Sequence, residues 1–175
     1  MREFQPLITQ YNNMPQYVYN ILEVYGPESD VREFISKSAR EEAIFSFEAL
    51  LPVPEELKQG PASEINDWKS ENWGTEYDPY NDDSKPWEIY EDKALIPFIS
   101  CWNPPTVFLE NVSTLFPTLT FFNQFADEGI NFVGTETFRD GELIEEEDFF
   151  ATDVVGMKIL ENLGLEDQAL YVEEE

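Results

Sequence analysis

Tyr17 to Tyr25 (Tyr-Val-Tyr-Asn-Ile-Leu-Glu-Val-Tyr) is β-branched and aromatic and is closed by Gly26-Pro27. It predicts a strand and its stop. Ser29 or Asp30 is placed to cap a following helix, with Glu33 spaced for a capping box. Val31, Phe34, Ile35 and Ala39 give that helix one apolar face through residue 41. Ile44-Phe45-Ser46-Phe47 alternates and predicts a second strand, ended by Leu51-Pro52-Val53-Pro54, whose prolines remove backbone donors. Glu64 to Asn72 predicts a short helix carrying Ile65 and Trp68. Residues 77–86, Tyr-Asp-Pro-Tyr-Asn-Asp-Asp-Ser-Lys-Pro, predict a loop.

The second half alternates more regularly. Trp87 to Tyr90 and Ala94 to Trp102 predict two strands joined by a turn at Glu91-Asp92-Lys93. Asn103-Pro104-Pro105 ends the second and opens a helix, since proline is tolerated in a first turn. Val107, Phe108, Val112, Leu115 and Phe116 form its buried stripe. Strands follow at Leu119–Phe125, Ile130–Phe138 and Glu142–Glu145, with turns at Asp127-Glu128-Gly129 and Asp140-Gly141. A last helix, Asp153 to Leu163, stops at Gly164 before an acidic tail.

Two helices separated by antiparallel strands predict an α+β fold: a ferredoxin-like antiparallel sheet with two helices on one face, plus a C-terminal helix and acidic tail. Residues 1–16 read as an N-terminal arm, 17–140 as the ferredoxin-like domain and 141–175 as an acidic C-terminal extension. Tyr19, Ile21, Phe45, Phe47, Phe98, Trp102, Phe108, Phe121 and Phe132 are the expected core.

Composition narrows the chemistry. Histidine is absent from the 175 residues, which removes imidazole bases and nearly all catalytic zinc sites. Cys101 is the single cysteine and reads as a buried strand residue, so no disulfide or thiolate cluster is expected. No segment has the apolar length of a signal peptide or a membrane span, so the cytoplasm is the default location. No cofactor and no metal are expected.

Six short pieces carry a family resemblance. They are Asn20-Ile-Leu-Glu-Val-Tyr-Gly26; Phe45-Ser-Phe47 leading to Pro52-Val-Pro54; Glu71-Asn72-Trp73-Gly74-Thr75; Cys101-Trp102-Asn103-Pro104-Pro105; Phe116-Pro117; and Glu128-Gly129-Ile-Asn-Phe132-Val-Gly134. In this order they resemble the YubB ferredoxin-like family of plasmid and phage proteins, over about residues 17–140. Glu76 departs from it, because the family commonly has a lysine there. The resemblance implies a ferredoxin-like fold and a mobile-element origin, and brings no established activity with it.

Trp73 and its neighbours allow two readings: a recognition anchor beside a flexible glycine, or a turn with the indole in the core, which the burial habit of Trp favours. Trp102-Asn103-Pro104-Pro105 reads as a structural junction on the same grounds. Asp78, Asp82, Asp83 and Glu88 suggest calcium, but counting from Asp78 the sixth residue is Asp83 instead of Gly and the twelfth is Ile89 instead of Glu, so the EF-hand pattern fails.

Charge says most. Ten Lys and Arg against 37 Asp and Glu give a net charge of −27, and a direct nucleic-acid binder is excluded for want of a basic footprint. Acids concentrate in residues 71–92 and 141–175. A small domain needs only about 2–8 net charges for solubility, and the excess is of the order carried by about 40 Å of duplex DNA, roughly 24 charges. The chain therefore reads first as a phage or plasmid inhibitor that mimics nucleic acid. It would occupy the basic groove of a host DNA- or RNA-binding defence protein, such as a CRISPR or restriction component. Asp78, Asp82, Asp83, Glu145, Glu146, Glu147, Asp148 and Asp153 would form one negative stripe, with Trp73 as an anchor. The alternatives are a non-enzymatic adaptor with an apolar docking patch, and a hydrolase with paired carboxylates of separated pKa.

Overall fold

A computed structural model describes residues 15–40, 43, 45–82 and 85–168. Among these residues seven strands form one antiparallel sheet: β1 (Tyr17–Tyr25), β2 (Tyr80–Asn81), β3 (Glu88–Ile89), β4 (Lys93–Cys101), β5 (Thr120–Asp127), β6 (Val133–Arg139) and β7 (Glu142–Asp148). The order is β2-β4-β1-β5-β6-β7, with β3 also pairing β4. Among the described residues five α-helices accompany it: α1 (Glu28–Ser38), α2 (Phe47–Leu50), α3 (Ala62–Trp73), α4 (Thr106–Leu115) and α5 (Val154–Leu163).

The alternation of strand side chains sorts the core into two layers. On the first face Leu22, Val24, Ile96, Phe98, Phe121 and Phe138 pack against Val31 and Phe34 of α1, Phe47 of α2, Trp73 of α3, and Phe108 and Val112 of α4. On the second face Ala126 and Val133 pack under Ile159, Leu160 and Leu163 of α5, with Tyr19 and Ile21 beside them. The fold is thus the expected one with an additional layer, because α5 covers the face opposite the other helices. The segment from residue 141, expected to be an extension, supplies the edge strand β7 and this covering helix.

Several local expectations need correction, among them the 77–86 loop, which holds β2, and Leu115, which is 54% exposed instead of buried on α4. The Ile44–Phe47 alternation does not make a strand: Phe47 opens α2, where the Ser46 hydroxyl accepts from Ala49 N at 3.2 Å and the Asp78 carboxylate accepts from Phe47 N at 2.5 Å. Ile44 itself lies outside the described residues. Neither Ser29 nor Asp30 caps α1, which begins at Glu28 behind Pro27; Glu33 instead pairs with Lys37. Trp102, expected in the core, is 41% exposed, its φ of 72° turning it out of the sheet after β4. Finally, the turn at Asp127-Glu128-Gly129 forms, with Ile130 N donating to the Asp127 carbonyl at 3.0 Å, but β6 starts at Val133 instead of Ile130. The loop is organised by the buried Asp127 carboxylate, which accepts from Gly129 N, Phe132 N, the Asn131 amide and the Gln16 amide.

Candidate functional site

Four polar side chains cross the middle of the first face, one from each of four adjacent strands: Ser100 (β4), Asn20 (β1), Asn123 (β5) and Glu136 (β6). All are buried beneath the helices. Asn20 Nδ2 donates to Ser100 Oγ at 3.0 Å, and Asn123 Nδ2 donates to Asn20 Oδ1 at 3.0 Å. Ser100 Oγ in turn donates to the Asn103 carbonyl at 2.8 Å, fastening the junction that leads into α4. At the other end the Thr106 hydroxyl, in the first turn of α4, donates to Glu136 Oε1 at 2.6 Å.

Two oxygens in this row have no partner: Asn123 Oδ1 and Glu136 Oε2. The two residues stand directly opposite each other in the β5–β6 register. A buried carboxylate oxygen with no donor is costly, and protonation of Glu136 relieves that cost. Its pKa accordingly rises from 4.5 to about 7. Burial is the main cause, the charges of Glu146 and Asp148 add to it, and the Thr106 hydrogen bond opposes it.

Glu136 borders a cavity of about 400 Å³ between the start of α4 and strands β5 to β7. Gly74, Pro104, Val107, Phe125 and Phe132 form its apolar walls, while Asn103, Thr106, Glu136, Glu146 and Asp148 supply polar atoms. Gly74 ends α3 at φ 77°, a left-handed cap that suits glycine, and its Cα would place a Cβ 3.5 Å from Val107. Gly134 leaves space for the Phe125 ring, which lies where a Cβ would project. The two segments read as structural turns, 72–75 and 102–105, therefore meet at the rim of one cavity, and Asn111 Nδ2 ties α4 to the Asn72 carbonyl at 3.0 Å.

The residues singled out from charge do not come together. Trp73 is 1% exposed, its Nε1 donating to the Leu51 carbonyl at 2.9 Å, and it offers a partner no surface. Asp78 is a capping group: it accepts from Ser46 Oγ at 2.7 Å as well as from Phe47 N. Burial raises its pKa, its hydrogen bonds to Ser46, Phe47 and Glu48 oppose the rise, and the charge of Glu48 adds to it. Asp82 follows β2 on the far edge of the sheet, and its carbonyl accepts from Lys85 N. Asp83 lies outside the described residues. Asp153 is the exposed N-cap of α5, its carboxylate accepting from Phe150 N at 3.2 Å.

Glu145, Glu146, Glu147 and Asp148 all sit on β7, exposed along the free edge. Strand geometry divides them. Glu146 pairs in register with Glu136 and Asp148 with Gly134, placing both on the cavity side; Glu145 and Glu147, opposite Thr137 and Thr135, turn to the α5 side. Four strands separate β7 from β2, about 24 Å at ordinary strand spacing, so Asp82, directly after β2, does not share one stripe with residues 145–148. Among the described residues no ion pair involves a β7 acid, and no group of three or more Asp, Glu or Cys side chains is placed to hold a metal ion. No helix among them is long and apolar enough to cross a membrane.

The architecture defines the class: an antiparallel sheet with helices packed on it, of ferredoxin-like type. The chain belongs to the family of ferredoxin-like domains in Api92-like proteins, whose model matches residues 66–172. Its fold is similar to the crystal structure of the protein api92 from Yersinia pseudotuberculosis, with a TM-score of 0.57 at 9% identity, covering 80% of this chain and 100% of that one. No curated protein matches the chain. The fold is therefore established, and the family carries no assigned activity.

Proposed function

We propose that this chain is a non-enzymatic inhibitor that mimics nucleic acid and occupies the basic groove of a host DNA- or RNA-binding protein, such as a CRISPR or restriction component. The observation that carries this reading is β7. Five acids, Glu142, Glu145, Glu146, Glu147 and Asp148, occupy five of seven consecutive edge positions, all exposed. Six strand steps span about 20 Å, so the edge carries one charge per roughly 4 Å, against one per about 3.4 Å along a single DNA strand. An edge strand needs some charge to resist pairing with other chains, but one or two acids would do that. The resemblance to the YubB family, with its plasmid and phage origin, supports a setting in the cytoplasm of an infected or plasmid-bearing host. Carboxylate–Arg and carboxylate–Lys pairing would supply the affinity, and the field of the whole chain would speed encounter.

Two alternatives each keep one supporting observation. An adaptor is favoured by an exposed apolar group at the start of α5, where Phe150 is 78% and Val154 87% exposed. A carboxylate-based hydrolase is favoured by Glu136, a buried acid near neutrality beside two further carboxylates.

Replacing Glu145, Glu146 and Glu147 with Gln and Asp148 with Asn removes four charges while keeping side-chain size. Exposed pairs contribute about 0–1 kcal/mol each, so the quadruple variant is expected to bind its partner about 10- to 100-fold more weakly, with a shallower salt dependence and a slower on-rate. Surface plasmon resonance at several salt concentrations reads all three, and size-exclusion chromatography checks that the neutralised edge stays monomeric. Unchanged affinity in a monomeric variant would leave β7 as a solvated edge.

A further inference from the structure

The cavity beside Glu136 has a wall chemistry distinct from the open edge of β7. We propose that it is an arginine-reading pocket, in which Glu136, Glu146 and Asp148 receive the guanidinium of a single arginine presented by the partner. This rests on the proposed function and deepens it, making the pocket the place where a basic partner is recognised by shape as well as by charge.

The central observation is a buried acceptor with nothing to accept from. Glu136 lines the cavity and is 2% exposed; its Oε1 is taken by the Thr106 hydroxyl, and its buried Oε2 has no partner. Glu146 and Asp148 flank the same cavity from β7, and none of the three is ion-paired within the described chain. A cation of the right shape would supply the missing donor and relieve the mutual repulsion of the three carboxylates.

The walls select the shape. No group of three acids among the described residues is placed to hold a metal ion, so a small spherical cation is a poor match. A guanidinium offers five donors in a planar fork and reaches separated carboxylates at once. Its faces are weakly hydrated and suit the Phe132 ring and Pro104, which line the apolar side. A lysine ammonium would place one compact, strongly hydrated charge there and leave part of the set unpaired. At about 400 Å³ the cavity lies near the small end of ligand sites.

Binding is coupled to a proton. The groups facing Glu136 are the Thr106 hydroxyl and the N-terminal end of α4, which favour its charged form, Asn123 across the β5–β6 register, and the Glu146 and Asp148 carboxylates from β7, which oppose it. Burial adds to the opposition. A bound guanidinium reverses the balance: Glu136 loses its proton to solvent, and affinity increases as pH rises through neutrality.

The test uses the whole chain and a defined probe, the acetyl-Gly-Arg-Gly amide peptide, with the citrulline and lysine versions as controls. At about 150 mM salt, charges on open surface are screened beyond about 8 Å. NMR titration is expected to shift the Gly74, Thr106 and Val107 amides saturably, and to lower the Glu136 carboxyl pKa by about one unit or more. Citrulline and lysine peptides should bind about tenfold more weakly or worse, and Glu136→Gln should abolish the arginine preference with an otherwise unchanged spectrum. Equal response to lysine, shifts confined to the outer side of β7, or an unshifted Glu136 carboxyl in the parent chain would overturn the pocket, and the last of these needs no variant. Failure here is distinguishable from failure of the mimic reading. Loss of partner affinity in the quadruple variant but not in Glu136→Gln would remove the pocket alone; an arginine-specific pocket in a chain that competes with no nucleic acid would remove the mimicry alone.

Discussion

Glu136→Gln is expected to stabilise the protein at pH 8 and to leave it nearly unchanged near pH 4.5. The folded chain holds the Glu136 carboxyl at about 7 instead of 4.5, so the folded state resists its ionisation more than the unfolded state does. Below pH 4.5 the group is protonated in both states and costs nothing. Between pH 4.5 and 7 the unfolded chain releases the proton first, and stability falls; above pH 7 the loss is complete and constant. A shift of this size corresponds to about 3 kcal/mol. Glutamine has no proton to lose and no charge to desolvate at any pH. Urea denaturation of parent and variant across this range should show curves that coincide in acid and separate through neutrality. In a chain of this size the separation amounts to a rise in Tm of about 6–12 °C. Parallel curves would mean that Glu136 is not a buried acid.

Phe47→Ala should destabilise the fold by about 3–5 kcal/mol, as for other fully buried aromatics. Phe47 is completely buried and stacks on Phe108, with ring centroids 4.0 Å apart and planes inclined by 26°. Phe45, Trp73 and Phe98 meet it edge-on at 5.8, 5.9 and 6.2 Å. The truncation would remove the centre of the aromatic layer joining α2, α3 and α4 to the sheet. By contrast Phe150→Ala, at a ring 78% exposed, should change stability by no more than about 0.5 kcal/mol. Chemical denaturation of the two variants provides the comparison, and a loss below about 1 kcal/mol for Phe47→Ala would contradict the packing described.

What the sequence made legible follows from locality. The β1 run and the Gly164 stop are set by neighbouring residues and are found where the pattern puts them, whereas the α4 stripe is found only in part, because Leu115 is 54% exposed and Leu109 is buried instead. Phe45-Ser46-Phe47 misled because the deciding group is Asp78, 31 residues beyond Phe47, whose carboxylate closes the start of α2. The same contact removed Asp78 from the candidate interface. The acidic stripe failed for a topological reason: the strand order sets Asp82, directly after β2, and β7 at opposite edges, which no local pattern encodes. Glu136 did leave a signal. In Val133-Gly-Thr-Glu-Thr-Phe138 it shares the parity of the inward Phe138, so its burial was readable from the alternation. Its unpartnered oxygen depends on what β5 and α4 bring to it, and only the assembled sheet reveals that.

The central claim, that the chain takes the place of nucleic acid on a basic groove, is tested most directly by competition. The protein is immobilised, exposed to nuclease-treated host lysate at about 50 mM salt, and challenged with duplex DNA or RNA or with salt raised to about 200 mM, a range over which phosphate-type contacts weaken strongly. The account predicts capture of a nucleic-acid-binding protein that both nucleic acid and salt release, and that the quadruple β7 variant retains poorly. A captured protein that stays bound through both challenges and binds the variant equally would contradict it.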